Sequence, residues 1–167
     1  MRLAIFTGYP AFRDPLYVGA PIVEEEVKKS YFKYMQEVFE RNCFTNNGPL
    51  VQKLEKEVAK IHRVKYCIAV CNATIGEALA LKALEVRGEV ILPSFTFIAT
   101  AHACLWQGIK PIFCDIYPDT LTIDAGKAEK LINKKTGAII GVHLFGNTCD
   151  VEKLNKLSRK YNLKVIY

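Results

Sequence analysis

The stretch KYCIAVCNATIGEALALKAL, at residues 65–84, decides the fold of this chain. Its apolar run, residues 66–71, predicts a β-strand, and a helical pattern begins directly after it at Asn72. A helix N-terminus presents unpaired backbone N–H groups, which bind phosphate well. The junction therefore predicts a phosphate seat made by the hydroxyl group of Thr74 and the N–H groups of Thr74 and Ile75.

A second junction follows in the stretch EVILPSFTFIAT, at residues 89–100. A short apolar strand, residues 89–92, runs into a proline turn that carries Phe97. Ligands of open α/β sheets bind outside the carboxyl ends of the strands, so Phe97 is placed to stack on a heteroaromatic ring. A phosphate seat beside a ring-stacking surface predicts a flat, phosphorylated cofactor.

Each junction also has a simpler structural interpretation. Asn72 or Thr74 can be an ordinary helix N-cap, which is the commoner use of such residues, and Phe97 can be a core aromatic residue. The chain contains neither G-x-G-x-x-G nor G-x-x-x-x-G-K-[ST]. Their absence excludes the usual dinucleotide-binding and P-loop interpretations.

Strand and helix patterns alternate along the rest of the chain. The apolar runs are residues 66–71, 89–92, 111–114, 138–143 and 164–167, and the helical patterns are residues 74–86, 96–107, 125–133 and 151–162. Asp124 and Asp150 are positioned as N-caps of the last two helices. Regular alternation of this kind predicts an α/β fold, a three-layer sandwich whose mostly parallel sheet lies between helices.

The two ends of the chain differ from this pattern. Residues 1–21 are rich in glycine and proline and predict an irregular arm. Helical spacing then predicts one helix over residues 24–41 and another that begins at Pro49. The last apolar run reaches Tyr167 without a turn after it, so the chain is expected to be truncated within a strand.

Composition limits the classes of function. The 167 residues are 50% hydrophobic and carry a net charge of +6, which suits a globular domain. Solvated helix faces explain the basic excess, and attraction of an anionic substrate such as a nucleotide diphosphate is the alternative. No nucleic-acid-binding motif and no apolar run of about 18 residues occurs, so we expect neither nucleic acid nor a membrane as a partner.

The six cysteines contain no C-x-x-C pair. Cys67 and Cys71 are predicted to be small buried residues of one strand. A zinc site that combines them with His62 is an alternative, but the paired ligand spacing is missing, and no metal is predicted. The N-terminal sequence has no hydrophobic signal region, so we expect a cytoplasmic protein with reduced thiols.

Few other residues suggest chemistry. Asp115 ends a predicted strand and is either a cap or a polar site residue. His143 also ends a predicted strand, where a single histidine is more often part of a structural hydrogen bond than a catalyst. His62 and His102 lie on predicted helices without a partner pattern, and no Ser-His-Asp set or carboxylate pair is recognisable.

Five sequence stretches, in this order, resemble the DegT/DnrJ/EryC1/StrS sugar aminotransferase family. They are NNGPLVQKLEKEVAKIHRVKYCIAVCNAT, EVILPSFTFIATAHAC, GIKPIFCDIYPDTLTID, KTGAIIGVHLFGNTCDVEKL and KYNLKVIY. The resemblance implies a fold-type I enzyme that uses pyridoxal 5′-phosphate (PLP). By this comparison residues 1–44 are an arm and a first helix, and residues 45–167 are an incomplete PLP-binding large domain, truncated in a strand.

The resemblance also implies roles for individual residues. Thr74 and Ile75 match the positions that bind the PLP phosphate through backbone amides and a hydroxyl, Ala73 stands in the same turn where many members have glycine, and Phe97 matches the ring that stacks on the pyridine. The aspartate that pairs with the pyridinium nitrogen and the Schiff-base lysine would follow Tyr167. No catalytic residue is therefore assigned within the chain, which is expected to be inactive alone.

The complete protein would transfer an amino group, with glutamate as the expected donor, to a keto group on a nucleotide-linked sugar. The resemblance places this reaction in amino-sugar and surface polysaccharide biosynthesis and implies a homodimer. Two alternatives stay open. One is a noncatalytic remnant that binds PLP, a sugar nucleotide or a full-length relative, and the other is a PLP-dependent dehydratase of the same family.

Overall fold

The computed structural model describes residues 8–9 and 22–167. The chain divides into two compact units, which we call the N-terminal unit (residues 1–68) and the C-terminal unit (residues 69–167). The arm predicted for residues 1–21 lies outside the described residues, apart from Gly8 and Tyr9. The division at residue 44 rests on the resemblance alone and stays a prediction.

The N-terminal unit contains two helices, α1 (Glu25–Arg41) and α2 (Pro49–His62). Both were predicted, and Pro49 occupies the first turn of α2 as expected, because its missing N–H has no helical partner there. Lys53 Nζ on α2 donates a hydrogen bond to the Tyr34 hydroxyl on α1 at 3.0 Å. None of the described residues of this unit is buried.

The C-terminal unit alternates helices and strands, as the sequence pattern predicts. In chain order its elements are α3 (Ala73–Ala83), β1 (Glu89–Pro93), α4 (Ala99–Trp106), β2 (Lys110–Cys114), α5 (Ala125–Leu131), β3 (Thr136–Ile140), α6 (Val151–Tyr161) and β4 (Lys164–Ile166). Asp124 and Asp150 are the N-caps of α5 and α6. Their carboxylates accept backbone N–H groups at 2.8–3.1 Å, which confirms both predictions.

The four strands form one sheet in the order β2-β1-β3-β4, and all three pairings are parallel. Alternate residues of β1 face opposite layers. Val90 and Leu92 pack in the cluster that contains residues of α3 and α4, while Ile91 packs in the cluster that contains residues of α5 and α6. All three side chains are fully buried. The predicted three-layer α/β fold is confirmed.

The strand predicted for residues 66–71 is wrong. The segment has no strand pairing among the described residues, and Tyr66 and Ile68 are more than 70% exposed. An apolar run becomes a strand only when a neighbouring strand accepts its backbone hydrogen bonds, and that neighbour is a long-range contact which the run itself does not encode. The run predicted for residues 138–143 forms a strand only as far as Ile140.

Candidate functional site

The N-terminus of α3 is capped by Asn72. Its Oδ1 accepts the Ile75 N–H at 3.0 Å, and its carbonyl oxygen accepts the Gly76 N–H at 3.1 Å. The capping interpretation of Asn72 is therefore confirmed. Ala73 and Thr74 occupy the first two helical positions, where N–H groups have no intrahelical partner. An anion at this turn would meet the N–H groups of Ala73 and Thr74, and the Ile75 N–H only if the Asn72 side chain moves away.

Phe97 lies in the loop between β1 and α4, and 77% of it is exposed. The core-aromatic interpretation is therefore wrong. Phe95 in the same loop lies edge-on to Phe145, which follows β3, with ring centroids 6.4 Å apart. Both loops leave the carboxyl ends of neighbouring parallel strands. Aromatic rings thus cluster at the edge of the sheet where ligands bind in open α/β folds.

Two helix starts meet at this edge. Thr100 Oγ1, at the second position of α4, lies 3.5 Å from Glu77 Oε1 in α3, which is the outer limit of a hydrogen bond. Thr100 Oγ1 also lies 3.1 Å from Thr96 Oγ1 in the loop that carries Phe97. The structure therefore links α3 to the loop that carries Phe97 through the side chains of Glu77, Thr100 and Thr96.

Glu77 is a residue that the sequence reasoning missed. Its Oε2 is buried and has no hydrogen-bond partner among the residues that the structure describes. Burial raises the pKa of this carboxyl group, and the hydrogen bond from Thr100 opposes the rise only in part. A signal was present, since Glu77 precedes the fully buried Leu81 by four residues and so shares its helix face.

The other polar candidates have structural partners. His143 Nδ1 accepts the Cys149 N–H at 3.1 Å, and its ring stacks on Tyr167 with centroids 5.6 Å apart. The proton of the neutral ring must then reside on Nε2. Asp115 forms an ion pair with Lys127, whose hydrogen bond lowers the pKa of that carboxyl group. The structural interpretation of His143 is supported, whereas Asp115 caps none of the helices that the structure describes.

The cysteines do not form a metal site in the part of the chain that the structure describes. No cluster of three potential ligands occurs there. Cys71 is exposed and Cys67 is only half-buried, so the prediction that both are buried is wrong. Cys104 and Cys114 are buried, and burial raises the pKa of each thiol to about 11. These two thiols are uncharged at neutral pH and are poor nucleophiles.

Residues 25–167 match the DegT/DnrJ/EryC1/StrS aminotransferase family. The chain belongs to this family. A DegT/DnrJ/EryC1/StrS relative from Escherichia coli, a dTDP-4-amino-4,6-dideoxy-D-glucose transaminase, is 41% identical over 137 residues, which are 82% of this chain and 37% of the relative. None of the helices that the structure describes is long and apolar enough to cross a membrane.

Solved structures of family relatives have the same fold. DesI, solved in the presence of its TDP-sugar product, superposes with a TM-score of 0.88 at 37% identity, covering 98% of this chain and 41% of DesI. NtdA from Bacillus subtilis, solved with bound PMP, gives a TM-score of 0.82 at 32% identity, over 86% of this chain and 33% of NtdA. The chain thus spans between about one third and two fifths of the length of these relatives.

Proposed function

We propose that this chain is the N-terminal part of a PLP-dependent aminotransferase that acts on nucleotide-linked keto sugars. The observation that carries the proposal is the meeting of α3 and the Phe97 loop at the carboxyl edge of the sheet, linked through Glu77, Thr100 and Thr96. A phosphate donor set and an exposed ring on adjoining elements match the two ends of a pyridoxal phosphate. Family membership supports the same reaction class.

The residues present fit the phosphate and the ring of the cofactor. The Ala73 and Thr74 N–H groups lie in the first turn of α3, where the helix dipole favours an anion. The Thr74 hydroxyl adds a further donor, and the exposed Phe97 ring is available for stacking on a pyridine face. Ile75 joins the set once Asn72 releases its N–H group.

When bound, the cofactor supplies an electron sink for chemistry at the carbon that carries the amino group. The residues of this chain bind and orient that group. By the family resemblance, the aspartate that pairs with the pyridinium nitrogen and the lysine that binds the cofactor covalently follow Tyr167. We therefore propose that the 167 residues alone do not transaminate, and that the complete cytoplasmic protein is a homodimer which takes its amino group from glutamate.

Binding of PMP tests the proposal, because this ligand has the phosphate and the ring but no aldehyde to react with surface lysines. We expect Thr74→Ala to weaken PMP binding by about 5- to 150-fold, since a hydrogen bond to a charged group contributes about 1–3 kcal/mol. Ser30→Ala, which removes an exposed hydroxyl of α1, is the matched control and should leave the affinity unchanged.

Calorimetric titration of the chain and both variants measures these affinities. Equal affinities for the chain and for Thr74→Ala would contradict the seat at α3. Borohydride trapping with PLP, followed by peptide mapping, tests the lack of activity. Stoichiometric labelling of a single lysine together with turnover of a keto sugar nucleotide would show that the chain is active by itself.

A further inference from the structure

Glu77 is a partly buried acidic residue of α3 that faces Thr100 of α4. Among the described residues, one of its carboxyl oxygens is buried without a hydrogen-bond partner, and the other has only the Thr100 hydroxyl at 3.5 Å. An ionised carboxylate in such a place loses hydration that one long hydrogen bond does not replace, whereas an uncharged carboxyl group loses much less. The surroundings therefore favour the protonated form of Glu77, in agreement with the rise of its pKa on burial.

The position of Glu77 relative to the anion seat has a second consequence. Thr74 and Glu77 are three residues apart on α3, and side chains at this spacing are neighbours on one helix face, with Cβ atoms about 5–6 Å apart. A charged carboxylate there would repel a phosphate held at Thr74, and the low dielectric of the interface would strengthen the repulsion. An uncharged Glu77 removes that repulsion.

The hydrogen bonds of Glu77 extend toward the ring-stacking loop. Thr100 Oγ1 lies between Glu77 and Thr96, and either threonine can be the donor in the bond that joins them. The titratable side chain facing Glu77 from α4 is Cys104, whose thiol is buried and has a pKa of about 11. A thiol has no cationic form in this pH range, so Cys104 supplies no positive charge that would stabilise an ionised Glu77.

We propose that Glu77, in its uncharged form, is a positioning residue of the anion seat: it holds α3 against Thr100 and keeps a negative charge away from a phosphate bound at Thr74. The inference rests on the proposed function for the identity of the anion. By linkage, anion binding and protonation of Glu77 assist each other, so ionisation of Glu77 weakens anion binding.

Glu77→Gln tests this proposal, because glutamine keeps the size and the acceptor of the carboxyl group but cannot ionise. PMP affinity is measured by calorimetry between pH 4.5 and pH 8.5. The phosphate of PMP titrates equally in every experiment, so the ratio of the two dissociation constants isolates Glu77. The ratio is the dissociation constant of the parent chain divided by that of Glu77→Gln. We expect it to be near one at the acid end of the pH range and about ten or more at the alkaline end. Glu85→Gln, at an exposed position in the turn that follows α3, is the control and should give a ratio near one throughout.

A second readout needs no ligand. The folded pKa of Glu77 lies above its unfolded value, so the chain loses stability as the pH rises from about 4.5 through the folded pKa. The melting temperature of Glu77→Gln should therefore equal that of the parent chain near pH 4.5 and exceed it by about 2–4 °C at pH 8. Thr100→Val, which removes the hydroxyl partner of Glu77, should enlarge the loss of stability between acid and alkaline pH. Thr100→Ser, which keeps a hydroxyl group, should show the same loss as the parent chain.

The outcomes separate the two proposals. If PMP binds and Thr74→Ala weakens it, but the Glu77→Gln ratio is constant with pH, the role of Glu77 is overturned and the seat stands. If PMP binds neither to the parent chain nor to any variant, the cofactor seat proposed at α3 is overturned for this chain. In that case the melting temperatures still test Glu77. If the difference between Glu77→Gln and the parent chain does not change with pH, the uncharged state of Glu77 is overturned as well. A difference that grows with pH supports the uncharged state.

Discussion

The two units bury similar helices to very different extents. Helix α2 of the N-terminal unit and helix α6 of the C-terminal unit are both amphipathic in sequence. Leu154 on α6 is fully buried in the cluster behind β3, whereas Leu54 on α2 is 55% exposed. The comparison teaches that an apolar stripe predicts a helix and the face it would bury, while the stripe does not specify what covers that face.

The contrast also extends to the helix ends. Asp124 and Asp150 cap α5 and α6 with side-chain hydrogen bonds, while Glu24 and Gly48, the N-caps of α1 and α2, make none. Stability within one chain is not uniform, and segments with few buried contacts open at lower free-energy cost. We therefore expect the C-terminal unit to be the more stable of the two.

Amide hydrogen exchange should show the largest difference between the units. Amides of β1 and β3, whose side chains are nearly all buried, should exchange at least about a thousandfold more slowly than those of α1, a gap of about 4 kcal/mol in opening free energy. Mass spectrometry of peptides from Glu25–Arg41 and from both strands measures it. Equal protection of α1 and β1 would break the comparison.

Substitution of matched leucines should give the next largest effect. Leu154→Ala removes a fully buried side chain and should lower the free energy of unfolding by about 2–5 kcal/mol. Leu54→Ala, at a mostly exposed helical position, should change it by less than about 0.5 kcal/mol. Urea denaturation measures both values. A loss of 2 kcal/mol or more in Leu54→Ala would show that α2 is covered in solution.

Removal of a helix cap should have a smaller effect. Asp124→Ala deletes the acceptor of the Gly126 and Lys127 N–H groups and should lower the free energy of unfolding by about 1 kcal/mol. Glu24→Ala at the start of α1 removes no capping hydrogen bond and should be nearly neutral. Thermal denaturation followed by circular dichroism compares the two, and a larger loss in Glu24→Ala would contradict the structural difference.

The smallest expected effect depends on pH. The hydrogen bond from Lys153 lowers the pKa of Asp150 in the folded chain. The stabilisation is therefore present above the unfolded pKa, near 4, and is lost as the pH falls through the folded value. Asp150→Asn keeps a capping side chain, so it should lower the free energy of unfolding by about 0.5 kcal/mol at pH 7 and by less at pH 3. Urea denaturation at both pH values measures this loss, with Glu24→Gln as the control. A loss as large at pH 3 as at pH 7 would assign it to packing.

The sequence predicted the helices better than the site. Turn chemistry and periodicity are local, which explains why Asp124, Asp150 and Pro49 were placed correctly. The partners of Phe95 and Glu77 come from segments 50 and 23 residues away, and no local pattern reports such contacts. At the start of α3 the local sequence allowed either an ordinary N-cap or a phosphate seat. Only the structure could show that Asn72 forms the capping hydrogen bond.

What the sequence by itself determined is the order of elements from α3 to β4, and with it the parallel sheet and the edge at which the loop that carries Phe97 lies. These features follow from apolar period and from short connections, which leave few possible topologies. Tertiary structure alone decided that residues 66–71 pair with no strand in the described part of the chain, that Phe97 is exposed and that Glu77 contacts Thr100. The physical reason is that strand pairing and side-chain burial depend on contacts with residues distant in the sequence. Those contacts form only in the packed fold.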